Sequence, residues 1–410
     1  MNILLINHYA GSPELGMEFR PYYLAKKWTE QGHHVTIITS SYSHYRKNNP
    51  EIKKNFYEQE IDGIKYLWIK TNKYKANGLG RFINIFAFIL KIFFNHKKIL
   101  KTYKPDIIIA SSTYPFDNYV AHKMAKKSKI PFIYEVHDLW PLSPIELGGM
   151  SPKHPFILLT QAAENFAYRH CDATVSILPL TKEYMVSHGL SPEKWFYVPN
   201  GICLDEIKQN EEIPQQHKQI LEKLKKEGKT IVGYTGNHGI PNALDTIIEA
   251  AKKTQNSNIT FVLAGSGTEK ASLIKQVEKL NLKNVIFLDP VKKTQVQSLL
   301  SYFDILYVGL KSQPLFRFGV SPNKIFDYMY AAKPVIMAIK AGNDIIKEAG
   351  CGITIEPESP NEINKAIEKI MALSQEERDK MGQNGRRYVL ENHTYEILSQ
   401  QFTNIITSVL

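Results

Sequence analysis

The stretch TIVGYTGNHGIP, residues 230–241, decides the fold. An apolar, β-branched run ends in the glycine turn Gly236-Asn237-His238-Gly239, and Pro241 then suits the first turn of a helix, where its missing N–H costs nothing. Strand, glycine turn and helix together make one step of a βαβ sheet. The step repeats downstream, with runs at Thr260 to Ala264, Asn284 to Leu288, Asp304 to Gly309 and Pro334 to Ala338 alternating with helical-period stretches. Upstream, beyond a polar stretch from Glu206 to Lys229, lies a separate set: Ile3 to Asn7, His34 to Ser40, Lys65 to Ile69, Asp106 to Ser111, Pro131 to Val136, Ala173 to Leu178 and Trp195 to Pro199. Several are continuously apolar, as strands covered on both faces require. The pattern predicts an α/β protein of two Rossmann-like domains, each a doubly wound parallel sheet. Their bounds are 1–205 and 206–393, and an apolar-periodic helix over 394–410 crosses back to the first domain. Ligands of such sheets bind at the carboxyl ends of the strands, so the strand-to-helix loops should line a cleft between the domains.

Composition narrows the class. A chain of 410 residues, 43% hydrophobic and without low-complexity runs, suits two globular cores. Its three cysteines, Cys171, Cys203 and Cys351, form no CxxC pair, so neither a disulfide framework nor a thiolate zinc site is expected. The N-terminus has no basic region, and its apolar run stops at Asn7, which argues against a secretory signal and for a reducing, cytoplasmic setting. The net charge of +11 is concentrated: residues 63–105 carry ten Lys/Arg and no acid. Within that window, the apolar run over 82–94, broken by Asn84 and Lys91, is shorter than a spanning helix needs. Its aromatic residues and basic flanks, notably Arg81, Phe82, Phe86, Lys91, Phe93, Lys97 and Lys98, suit a helix lying on an anionic membrane surface. The alternative is a plain buried helix. Nucleic acid ranks lower, since no recognition module is present.

Four places carry candidate chemistry. After the first strand, Gly11, Gly16 and the following Arg20 could receive an anion at a helix N-terminus. The turn of Gly236, Asn237 and Gly239, with a second turn at Gly265, could seat a diphosphate against unpaired N–H groups; the GxxxxGK[ST] pattern of NTPases is absent. In RFGVSPNKIFDYMYAAKPVI, residues 317–336, a helix starting at Pro322 sets Lys324 and Asp327 one turn apart. There a carboxylate can accept both hydroxyls of a ribose, while Lys324 and Arg317 offset phosphate charge. Finally, His137 and Asp138 end the fifth strand, where either could orient or deprotonate a sugar hydroxyl.

Taken in order, LINHYA (5–10), Arg20, Leu24-Ala25, GHHVT (32–36), NGLGR (77–81), HDLWP (137–141), VPNG (198–201), GYTGN (233–237) and PNKIFDYMYAAKPVI (322–336) resemble the retaining glycosyltransferases of family 4, over nearly the whole chain. The resemblance points in particular to the N-acetyl-L-fucosamine transferases that build bacterial O antigens and capsules. It implies the GT-B fold, a UDP-sugar donor and an acceptor on undecaprenyl diphosphate. It also implies retention of anomeric configuration, no metal ion, and a place on the inner face of the cytoplasmic membrane. Asp327 stands at the second carboxylate of the family's Glu-x7-Glu motif, which holds the donor ribose; the first glutamate is replaced by Gly319, where N–H groups of Gly319, Val320 and Ser321 would substitute. The family's Arg and Lys after the second-domain glycine turn are missing, with Asn237 and Asn242 nearby, so phosphate neutralisation falls to Lys324 and Arg317. The family's histidine matches His137, its neighbouring aspartate Asp138, and the choice between them stays open. A UDP-sugar 2-epimerase of the same fold is the alternative activity.

Overall fold

The computed structural model describes residues 1–17, 19–75 and 78–410, so Asn77 of the NGLGR motif lies outside the described residues. The chain divides into two compact units, Met1–Asn200 with Tyr395–Leu410, and Gly201–Thr394.

The first unit is built on an eight-stranded sheet of β1 (Asn2–Ile6), β2 (His34–Ser40), β3 (Phe56–Ile61), β4 (Ile64–Ile69), β5 (Ile107–Ala110), β6 (Phe132–Val136), β7 (Ala173–Ser176) and β8 (Trp195–Tyr197). Their order is β3-β4-β2-β1-β5-β6-β7-β8, and every pair is parallel except β3 with β4. The sequence reading contains no strand at Phe56–Ile61, because Tyr57, Glu58, Gln59 and Glu60 are all exposed and leave no apolar face to recognise. Its turn, Asp62-Gly63, has both residues at positive φ, the geometry that favours a two-residue hairpin. Strand order reverses at β1, with β2 on one side and β5 on the other. Right-handed crossovers then put helices on both faces and make the carboxyl ends of β1 and β5 the ligand-binding switch point.

The helix Tyr395–Val409 belongs to this unit. It packs on the helix Arg20–Glu30: the Trp28 ring meets Phe402 edge-on at 5.2 Å, the Trp28 indole N–H donates to the Ser399 carbonyl at 3.3 Å, and Lys27 pairs with Glu396 at 2.9 Å. Trp28 and Phe402 are fully buried, each contributing about 1.5–3 kcal/mol by leaving water.

The second unit has six parallel strands, β9 (Thr230–Asn237), β10 (Ile259–Ser266), β11 (Val285–Leu288), β12 (Ile305–Gly309), β13 (Val335–Ala338) and β14 (Gly352–Thr354), ordered β11-β10-β9-β12-β13-β14. Alternate residues of one strand enter different apolar clusters, Val262 one and Leu263 the other, so both faces are covered. Here the order reverses at β9. The glycine turn that ends β9 therefore sits at the switch point of this sheet.

Candidate functional site

In the second unit, β9 delivers Tyr234 to the underside of the glycine turn, where its hydroxyl donates to the Asn237 carbonyl at 2.7 Å. Lys324, in the first turn of the helix Asn323–Tyr330, reaches the same place. Its Nζ donates to the Tyr234 hydroxyl and to Asn242 Oδ1, both at 2.7 Å, and lies 4.4 Å from the Tyr234 ring centre. These acceptors are neutral. Burial pushes the Lys324 ammonium down to about 7, because nothing at hand replaces its lost hydration with negative charge. A Cβ at Gly236 would lie 3.3 Å from that Nζ, so the cation sits directly beneath the turn. Gly265 pairs with Gly236 across the sheet, and a Cβ there would meet the Gly236 carbonyl oxygen at 1.8 Å; only glycine lets the two strand ends lie flush. Tyr328 braces the strand by accepting the Thr235 N–H at 2.7 Å. Gly236 and Asn237 are exposed, while His238 and Gly239 are buried. His238 is held down at about 4 by burial and then by Lys270.

Around Lys324 the expected donor groups divide. Asp327 lies one turn after Lys324, and its carboxylate is gripped by Lys293, with Nζ 2.7 and 2.6 Å from the two oxygens. Gly319, at φ +95°, gives its N–H to the Phe316 carbonyl at 2.9 Å, and the Val320 N–H goes to Asn343 Oδ1 at 2.8 Å. Those two amides are therefore already engaged by the protein, and the substitution of backbone donors for the missing glutamate does not extend to them. Ser321 stands just before Pro322, which caps the helix. Arg317 is exposed, donates to the Pro314 carbonyl at 2.7 Å and stacks on Phe318.

In the first unit, the loop after β1 closes on itself: Gly16 N–H donates to the Ser12 carbonyl at 2.8 Å, and a Cβ at Gly11 would lie 1.8 Å from the Gly16 carbonyl oxygen. Arg20, expected to meet an anion, is instead 4% exposed. Its Nε pairs with Glu135 at 2.9 Å and its terminal nitrogens donate to the Val198 and Pro199 carbonyls, so it ties β6 to the end of β8 rather than facing a ligand. Burial alone would raise Glu135, but Arg20 and His137 outweigh it and hold the carboxylate down at about 2. The other Glu135 oxygen accepts from the Ser111 hydroxyl and lies 3.2 Å from His137 Nε2, which is also 3.0 Å from Ser111 Oγ. His137 is thus fixed by β5 and β6 together. Asp138, next in sequence, is exposed. Beside them Asp117 is fully buried: one oxygen accepts the Ser112 N–H at 3.1 Å, the other has no partner among the described residues, and burial pushes the acid up to about 7.

Residues 16–206 match the family described as Glycosyltransferase Family 4, and residues 215–388 match Glycosyl transferases group 1. The chain belongs to the family 4 glycosyltransferases. This transferase is 21% identical over 345 residues to the probable glycosyltransferase WbjE of Pseudomonas aeruginosa, covering 83% of this chain and 82% of that protein. It is 22% identical over 387 residues to WcaI of Escherichia coli K12, a putative colanic acid biosynthesis glycosyl transferase, covering 92% of each. Its fold is similar to that of Anabaena Alr3699/HepE, solved in complex with UDP and glucose, with a TM-score of 0.68, 16% identity and full coverage of both chains.

The basic helix of the transferase runs from Leu79 to Tyr103, 25 residues, longer than the apolar run suggested and, by length and composition, long and apolar enough to cross a bilayer. One face packs into the unit through Ile85, Phe88, Ile89 and Ile92. Asn84, which interrupts the apolar run, is a buried anchor: its Oδ1 lies 2.6 Å from His8 Nε2 and its amide donates to Thr71 at 2.9 Å. Several residues assigned to a membrane face inward instead. Arg81 donates to the Tyr9 hydroxyl at 3.0 Å and stacks on Tyr9 and Tyr45. Lys91 donates to the Lys70 carbonyl at 2.6 Å, Phe82 and Phe86 pack toward Phe156 and Phe116, and Lys123 covers Phe93. The outer face is formed by Leu79, Ile83, Leu90 and Phe94, the last 75% exposed, and then by Lys97, Lys98 and Lys101. Leu158 and Leu159, 57% and 54% exposed, stand on the helix Pro155–His170, whose Phe156 ring meets Phe82 at 5.8 Å. Among the described residues no group of three His, Cys, Asp or Glu side chains could hold a metal ion.

Sequence reasoning missed Lys293, Glu135, Ser111 and Asp117. Glu135 carried a signal, an acid inside the otherwise apolar run Pro131 to Val136, where a buried carboxylate must be paired. Lys293 carried none, since its partner lies 34 residues away.

Proposed function

We propose that the transferase moves an N-acetylated deoxyhexose, N-acetyl-L-fucosamine or a close relative, from its UDP conjugate to a sugar on undecaprenyl diphosphate, with retained configuration, in the assembly of a bacterial surface polysaccharide. Lys324 carries this reading: a buried ammonium whose hydrogen-bond acceptors are neutral, beneath an open glycine turn at a sheet switch point, is a receptor for an anion. A sugar diphosphate supplies that anion, and the growing charge on the leaving UDP is where stabilisation counts most. The cation comes from the helix after Pro322, in place of the family's basic residues after the turn. The fold shared with the UDP-bound Anabaena protein and the colanic acid role named for WcaI support the donor and the pathway class. The reading takes no metal ion as cofactor.

The exposed stripe of Leu79, Ile83, Leu90 and Phe94, continued by Lys97, Lys98 and Lys101, supports a peripheral seat on an anionic, cytoplasmic membrane face, where a lipid-linked acceptor is found. His137 and Asp138 act on the acceptor hydroxyl or the donor sugar.

The test is release of UDP from a panel of UDP-sugars, with and without undecaprenyl-diphosphate-linked GlcNAc. Release that depends on the lipid acceptor is the expected result. No release from any donor defeats the reading, and an epimerised sugar formed without acceptor selects the epimerase.

A further inference from the structure

The Asp327 carboxylate is nearly enclosed, its side chain 10% exposed, yet one neighbour holds it at two points. Lys293 Nζ straddles the carboxylate, 2.7 Å from Oδ1 and 2.6 Å from Oδ2. The contact is made by a separate segment: Lys293 opens the short turn Lys293–Gln295 that follows β11, and that turn is shaped by the Lys292 N–H donating to the Gln295 side chain at 3.1 Å. Two residues further on, the Gln297 amide donates to the Asp327 backbone carbonyl at 3.0 Å. Side chain and main chain of one residue are thus gripped from the turn after β11 and from the first turn of the helix Val296–Ser301 that follows it. A surface ion pair would rarely be held so completely.

An ionised carboxylate has about four acceptor positions, and one ammonium bridging both oxygens occupies only the pair that faces it. Among the described residues no other side chain donates to these two oxygens, which leaves lone pairs for two hydroxyls, the number a ribose 2′,3′-diol brings. Asp327 is one methylene shorter than the glutamate its family carries at this place, so its reach depends on how the short arm is aimed. We propose that Lys293 is a positioning residue of the nucleotide subsite: it aims the Asp327 carboxylate, through both oxygens, so that the free lone pairs receive the ribose diol of the UDP-sugar. The two lysines of the region then have different tasks. Lys324 meets the diphosphate, and Lys293 acts on the ribose only through Asp327.

The proposal rests on the UDP-sugar reading, and the experiment separates the two. Affinities for UDP and for 2′,3′-dideoxy-UDP are measured by calorimetry on the wild type, Lys293→Met, Lys293→Arg and Asp327→Asn, with a thermal melt of each variant to show that it is folded. The wild type is expected to prefer UDP by at least about 100-fold, as two hydrogen bonds to a charged group imply. Lys293→Met is expected to reduce that preference to within about threefold without much change in dideoxy-UDP affinity, and Lys293→Arg, which can bridge both oxygens, to restore most of it. A preference unchanged in Lys293→Met overturns the proposal while leaving the donor reading intact. A wild type that binds UDP without distinguishing the dideoxy form removes the ribose role of Asp327 and this proposal with it. A wild type that binds neither overturns the donor reading itself.

Discussion

One buried cation in each unit is held in an opposite way. In the first, Arg20 and Glu135 are sealed together at 2.9 Å, with Val198, Pro199, Ser111 and His137 taking up the remaining bonds. In the second, Lys324 is buried against a phenol and an amide oxygen, and burial drives its ammonium down to about 7. A closed network resists rearrangement and fixes the direction of what it holds, here the His137 ring. An ammonium left with neutral partners costs the fold stability and regains it when an anion arrives. One arrangement is closed by its own partners, and the other leaves a cation that only an added anion would satisfy.

The largest effect should come from opening the closed network. Glu135→Ala leaves the Arg20 charge buried without its partner, a loss of about 3–5 kcal/mol expected as a lowered urea midpoint. Arg20→Met combined with Glu135→Leu should recover most of it; no recovery would mean that packing, and not stranded charge, accounts for the loss. Next, Asp138→Asn is expected to lower kcat on the order of a hundredfold while UDP affinity stays within about twofold, separating chemistry in the first unit from donor binding in the second. An equal loss in both would erase that division.

Lys324→Met should weaken UDP binding by roughly 10–150-fold, the worth of a charge-assisted hydrogen bond. The unliganded protein at pH 6 should keep or raise its Tm, since the change removes a costly buried charge; a lower Tm would show that the ammonium is already compensated. The last test is a titration. Because Lys324 falls from its ordinary value of 10.5 to about 7 on folding, the unfolded chain binds the extra proton between those values, and stability should rise as pH increases from about 7 to about 10.5. UDP prefers the charged form, so its affinity should fall by about tenfold per pH unit above 7, with proton uptake seen as a buffer-dependent binding enthalpy. Both trends should vanish in Lys324→Met.

How far the sequence could be read follows from the range of the forces involved. The parallel strands were legible because continuous apolar runs between glycine turns leave few alternatives, whereas β3, an exposed edge strand, had no apolar face to show. Lys324 and Asp327 could be named together because one helical turn relates them. Arg20 looked like an anion ligand from its place after a glycine loop; its partner Glu135 lies 115 residues away, and no local pattern announces that pairing. The Lys293 clamp was hidden for the same reason. In the helix Leu79–Tyr103, Asn84 and Lys91 read as flaws in an apolar run, and the structure makes them the points where that helix is pinned to His8, just past β1, and to the carbonyl of Lys70.

The helix Tyr395–Val409 gives this chain an order of assembly. Residue 28 is made early, but the partners that cover its indole, Ser399 and Phe402, leave the ribosome only after the whole second unit has been translated. Until then the nascent first half lacks the Ser399 and Phe402 contacts to that ring. A gene cut between the two units would separate a domain from its own last piece.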